Sequence, residues 1–177
     1  MLATMSSAYE RLIEHQRRTA TLASAAGVLC WDQQTYLPPA AAPHRGAQAA
    51  ALAAMVHEWR VDPRLGEWLA ACEETPAANP ASHQTVNLRW IRRSYDKALR
   101  LPAELVAEQA EAASSAYAAW KDARARADFA AFQPHLERSL ALARRKADHL
   151  GWETCRYDAL LDLYEPGATA AMVSELF

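Results

Sequence analysis

An all-α fold is predicted by three features of this 177-residue sequence. Only five glycines interrupt it, and Ala, Leu, Glu, Arg and Gln, all good helix formers, dominate it. No segment shows the sustained alternation with Val, Ile and Thr that a strand requires. Hydrophobic residues make up 51% of the chain, enough for a core, so a disordered chain is excluded. Much of that share is alanine, which lets helices approach closely but buries little area per residue. The length suits a single helical domain over residues 1–177, or one part of a larger domain.

Ser7-Ala-Tyr-Glu10 reads as a capping box that opens the first helix. Tyr9, Leu12, Ile13, Gln16, Ala20, Ala23, Ala26 and Cys30 follow at helical spacing and form one apolar stripe. The helix is expected to end near Trp31, because Pro38 and Pro39 cannot continue it. Pro43 suits the first turn of a second helix reaching about Arg60. Asp62-Pro63 pairs a cap with a first-turn proline and starts a short helix to about Glu74. The stretch 75–81, TPAANPA, reads as a loop.

Ser82 caps the next helix, whose buried side is expected to be Val86, Trp90, Ile91, Tyr95 and Leu99. Leu101-Pro102 breaks it and begins a long helix to about Arg126. Asp128 caps a further segment in which Pro134 is either a kink or the true first turn, and Gly151 is a C-terminal stop. Tyr157 to Tyr164 forms a short helix ended by Pro166-Gly167. Thr169 caps a last helix carrying Leu176 and Phe177. Two large apolar side chains in an uncapped final turn are expected to dock on a surface supplied by a longer chain or by a second copy. That favours a part of, or a shortened relative of, a longer protein.

A formal net charge of -2 offers no excess of cations to neutralise phosphates, so no nucleic-acid partner is expected. No segment approaches the ~20 apolar residues of a membrane span, and no membrane partner is expected. The first residues lack an apolar run of signal-peptide length, and charges begin at Glu10. Cys30, Cys72 and Cys155 lie far apart and form no CxxC pair, so they read as reduced thiols in a cytoplasmic protein.

Candidate chemistry is sparse. His57-Glu58 is the sole His-Glu pair, and a zinc-binding HExxH helix would need a second histidine where Val61 stands. The other histidines have no partner at metal spacing, so no metal or cofactor is expected in this chain and no catalytic residue is assigned. Asp158 and Asp162, four apart on a helix, read as a solvated or arginine-paired face. Asp32, where a helix gives way to a proline loop, is expected to bond loop amides or pair with an arginine such as Arg45. Arg89, Arg92, Arg93, Lys97 and Arg100, with Trp90 and Tyr95 among them, read as the solvated face of an amphipathic helix.

Several separated runs point further. Leu29 to Pro38, LCWDQQTYLP, resembles the WD-x-x-T-x-M-P signature of the carboxypeptidase Taq family. Arg45, Gln48, Leu52 and His57-Glu58 follow at the distance of that family's R-x-x-Q…L…HE helix. Trp120, Asp128-Phe129, Phe132, Pro134 and Leu136-Glu137 are similar to its W…DF-x-x-F-x-P-x-LE segment. Tyr157 to Gly167, YDALLDLYEPG, is similar to its YD-x-LLD-x-YEPG motif. The chain departs from the pattern at Leu37, where the family usually has Met, and lacks the glycine common after Pro38.

This resemblance implies a mostly helical, usually dimeric metallopeptidase that removes single residues from peptide C-termini. It also implies that zinc (or cobalt) is held by an HExxH helix and a glutamate beyond the equivalent of Phe177. The matched positions here, Trp31, Asp32, Thr35, Pro38, Arg45, Gln48, Tyr157, Asp158, Tyr164, Glu165, Pro166 and Gly167, are then structural. Trp31 is expected to be buried, Asp32 and Thr35 to fix the following loop, and Tyr157 and Tyr164 to anchor the short helix. A helical module for assembly or binding, without enzymatic activity, is the other function class the residues allow.

Overall fold

Short polar side chains set the starts of most helices. Ser7 Oγ accepts from the Glu10 amide at 3.1 Å while the Ser7 amide donates to Glu10 Oε2 at 2.8 Å, the reciprocal pair expected of a capping box. Asp62, Ser82, Asp128 and Thr169 each accept from an amide two or three residues on. Each such cap is worth ~1 kcal/mol. The computed structural model describes residues 7–74 and 81–177, so the expected loop at 75–81 lies, apart from Ala81, outside the described residues.

Among the described residues the elements are α1 (Ala8–Thr35), α2 (Ala42–Arg60), α3 (Pro63–Glu73), α4 (His83–Leu99), α5 (Ala103–Ala125), α6 (Phe129–Leu150), α7 (Arg156–Leu161) and α8 (Ala170–Leu176). A 3-10 turn, Pro39–Ala41, leads into α2. No strand occurs among the described residues, as the composition predicts. None of the described helices is long and apolar enough to cross a membrane.

α1 runs to Thr35, past the expected stop at Trp31. The first proline stands at Pro38, so nothing earlier forbids the helix, and the Asp32 carbonyl closes it by accepting from the Tyr36 and Leu37 amides. Pro134 lies inside α6, because Asp128 is the cap. Gly151 ends α6 at φ +83°, as a terminal glycine should.

α2 packs between α1 and α5, α5 continues the layer to α6, and α3 bridges α1 to α4. The core is correspondingly divided. Leu12, Leu65 and Leu69 form one buried cluster, with Leu88, Ile91 and Tyr95 against it. Leu105, Ala112 and Leu142 form a second, and Ala147, Leu150 and Ala159 a third. On α4 the expected buried side is wrong at two places: Trp90 is 45% and Leu99 54% exposed. α4 meets α3 along the narrow strip of Leu88, Ile91 and Tyr95, and Gly66 makes the approach close. A Cβ at Gly66 would stand 2.9 Å from the Tyr95 hydroxyl.

Two glycines have opposite conformational roles. Gly151 occupies a region of backbone space closed to other residues, whereas Gly27 sits inside α1 with open space around it. Gly151→Ala should destabilise the chain by ~1–3 kcal/mol. Gly27→Ala should stabilise it by ~0.5–1 kcal/mol. Urea unfolding of both variants checks the pair of signs.

Candidate functional site

Helices α1, α2, α4, α5 and α6 together line a groove of about 920 Å³. α2 contributes Ala49, Leu52, Ala53 and Val56, a stripe at helical spacing whose small side chains leave the space open. Polar pins hold its α1 wall. Gln33 Nε2 donates to the Ser114 carbonyl at 2.9 Å, and the Ser114 hydroxyl donates back to Gln33 Oε1 at 3.1 Å, tying α1 to α5.

Arg45 holds α1 to α2. Its Nη2 donates to Asp32 Oδ2 at 2.5 Å, its Nη1 to the Leu29 carbonyl at 2.5 Å, and its Nε to Gln48 Oε1 at 3.0 Å. The expected pairing of Asp32 with Arg45 is thus present, and three of the Taq-like positions act as one unit. Trp31 is not part of it. Its ring is 56% exposed, edge-on to Tyr36 at 5.4 Å, because the extended α1 turns Asp32 and Gln33 inward and Trp31 outward. Thr35 likewise bonds its own helix, Oγ1 to the Trp31 carbonyl at 2.8 Å, rather than the loop. The Pro38 carbonyl accepts from Ala41 and starts the 3-10 turn.

The segment 157–167 is held by carboxylates, not by its tyrosines. Asp162 Oδ1 accepts from Arg93 Nη2 at 2.6 Å and from the Gly167 amide at 2.9 Å, and Oδ2 accepts from Lys97. Gly167 meets it at φ +85°. Burial alone would raise the Asp162 carboxyl, but the Lys97, Arg93 and Gly167 hydrogen bonds outweigh it and hold the group well below the usual range. Asp158 Oδ1 accepts from the Ala170 amide at 2.7 Å, setting the start of α8. Tyr157 and Tyr164 are 55% and 86% exposed, so the expectation that they anchor α7 fails. A six-residue helix has one narrow inner side, and Ala159 and Leu160 occupy it. Glu165 and Pro166 are exposed at the turn.

The basic run on α4 is also not simply a solvated face. Arg92 pairs with Glu73 at 2.8 Å, Arg93 and Lys97 hold Asp162, and Arg100 donates to the Leu150 carbonyl at 2.6 Å. What the sequence reading missed is Lys146, which lines the groove from α6. Its signal was available: it lies midway between Leu142 and Leu150 on the inner stripe of that helix.

His57, also in the groove lining, is buried. Burial depresses its pKa, the bond with the Leu101 backbone opposes this, and Arg60 adds to the depression. Its neighbour Glu58 is exposed. Among the described residues no three His, Cys, Asp or Glu side chains are grouped so as to hold a metal ion. The described residues do not fit such a site.

The family model for carboxypeptidase Taq (M32) metallopeptidases matches residues 11–177. Thermostable carboxypeptidase 1 of Thermus thermophilus is 41% identical over 184 residues, covering 98% of this chain and 36% of its own length. A Pyrococcus furiosus carboxypeptidase structure superposes with a TM-score of 0.77 at 30% identity, over 99% of this chain and 35% of that one. The M32 carboxypeptidase of Deinococcus radiodurans does so with a TM-score of 0.74 at 30% identity, over 95% and 33%. Motifs, fold and matches agree, and this chain belongs to the carboxypeptidase Taq family of metallopeptidases. It spans about a third of the length of the relatives it matches.

The depressed carboxyl of Asp162 makes a signed prediction. A group whose folded pKa is lowered contributes stability that is present above its unfolded value, 3.8, and lost as pH falls through the folded value. Asp162→Asn should cost ~1–3 kcal/mol near neutral pH. The gap between the variant and the wild type should narrow as pH drops below 3.8. Thermal melts from neutral to acid pH check it.

Proposed function

We propose that this chain forms the N-terminal helical portion of a metal-dependent carboxypeptidase that removes C-terminal residues from peptides. In this reading residues 1–177 are one helical domain that forms a groove wall and scaffold and is inactive alone. One observation carries it: three of the four family-like segments contribute to the groove lining, while the described residues group no metal-ligand set. Asp32, Arg45 and Gln48 pin the α1–α2 side. Asp162, with the Gly167 amide, closes the α4 side, and Asp158 sets the start of α8. Thr35 and Pro38 shape the end of α1 and the turn after it, whereas Trp31, Tyr157, Tyr164, Glu165 and Pro166 stand exposed beside these contacts.

Zinc or cobalt would be held by residues outside this third. The groove volume lies within the range of about 300–1,000 Å³ typical of occupied pockets. A cytoplasmic, homodimeric enzyme is the setting this reading implies. A helical binding module remains the rival, and its mark would be full function without any hydrolysis.

The purified chain, supplied with zinc or cobalt and a blocked dipeptide, should show no turnover above buffer. Turnover that disappears in His57→Ala would overturn the scaffold reading and make His57 part of the chemistry.

A further inference from the structure

Lys146 occupies a core register of α6. It stands four residues from Leu142 and four from Leu150, both buried, so the helix carries it on the face that packs inward. The groove it enters has no aspartate or glutamate in its lining. The other cations there are accounted for differently. Arg45 is bonded to Asp32, Gln48 and the Leu29 carbonyl, Lys97 to Asp162, and Arg60 is exposed at the end of α2.

No ion pair or hydrogen bond to Lys146 occurs among the described residues, and burial alone depresses its pKa, with no charge partner contributing. Two carboxylates close to it in sequence or on the adjoining helix are engaged elsewhere, Glu108 of α5 with Arg145 and Arg138 and Asp148 with Arg156, while Glu104 and Glu111 of α5 are exposed and absent from the groove lining. The ammonium still meets the groove's solvent, since no buried side-chain nitrogen or oxygen is left unpartnered among the described residues. A half-buried, uncompensated cation costs stability. A carboxylate brought to it in an apolar surround would recover that cost.

We propose that the groove is a docking site for an apolar polypeptide segment that carries a side-chain carboxylate, and that Lys146 receives that carboxylate. Charge complementarity points to the acid, because the lining offers cations and no anion of its own. The Ala-Leu-Val character of the α2 stripe points to small apolar neighbours beside it. Length points to a protein segment: about two thirds of the Thermus thermophilus relative lies outside the region this chain matches. In such a relative that polypeptide is available to supply the carboxylate. The proposal uses the groove and not the metallopeptidase reading. Hydrolysis by the chain would overturn that reading and leave this one standing.

The test uses two fluorescent helical peptides of Ala, Leu and Gln, blocked at both ends, one with a single central Glu and its twin with Gln there. Anisotropy titrations should show the Glu peptide binding at least ~10-fold tighter, about 1.4 kcal/mol. Lys146→Met should abolish that preference, while Lys121→Met on exposed α5 surface should keep it. Lys146→Met should also raise the melting temperature of the free chain, so loss of binding cannot be read as loss of fold. Lys97, Lys121 and Lys146 are the lysines of the sequence, which permits competitive amine labelling. The Glu peptide should protect Lys146 and leave Lys121 reactive. Equal binding of the two peptides, or no binding of either, overturns the proposal. So does binding confined to peptides with a free α-carboxylate, or Lys146 protection that tracks self-association.

Discussion

The guanidinium of Arg45 is the one permanently charged side chain that is buried among the described residues. Taking such a group out of water is tolerable only when its donors are matched. Two partners, the Leu29 carbonyl and Asp32, are near the end of α1, and the third, Gln48, is one turn along α2. The requirement therefore fixes where α1 must end relative to the start of α2. With those two helices set, α2 can lie on α5, and the small side chains of its inner stripe leave a groove instead of a filled core. The pin is needed because alanine-rich contacts supply little apolar area for holding helices in register.

Electrostatics closes the other side by the same logic. Asp162 gathers Arg93 and Lys97 from α4 and an amide from the turn that follows α7. This compensates Lys97, which lines the groove, and leaves Lys146 there without a carboxylate partner among the described residues. The charge of Lys146 stays uncompensated while Glu108 and Asp148 pair with other cations. Fold and groove character thus follow from one distribution of charges.

How much of this could be read from the sequence depended on the range of the interaction. Helix starts were legible, since Ser7, Asp62, Ser82, Asp128 and Thr169 cap amides two or three residues away. The Asp32–Arg45 pair was legible because a carboxylate at a helix end needs a donor and an arginine stood nearby in the chain. Burial of the aromatics was not. Trp31, Tyr157 and Tyr164 read as anchors by their size, yet helix rotation decides which side chain faces in, and Asp32 and Asp158 beside the first two took the inward places. The α4 cations misled for the opposite reason. Their partners Glu73, Asp162 and the Leu150 carbonyl are distant in sequence, so local amphipathicity could not reveal them.

A double-mutant cycle on Asp32→Asn and Arg45→Met measures the α1–α2 pin itself. Asp32 is about one-third exposed, so solvent screens part of the attraction. The account predicts that each change destabilises the chain and that the two are coupled by ~1–2 kcal/mol. Additivity within ~0.5 kcal/mol would contradict it, because the register of α1 on α2, and the groove with it, would then be set by apolar packing alone.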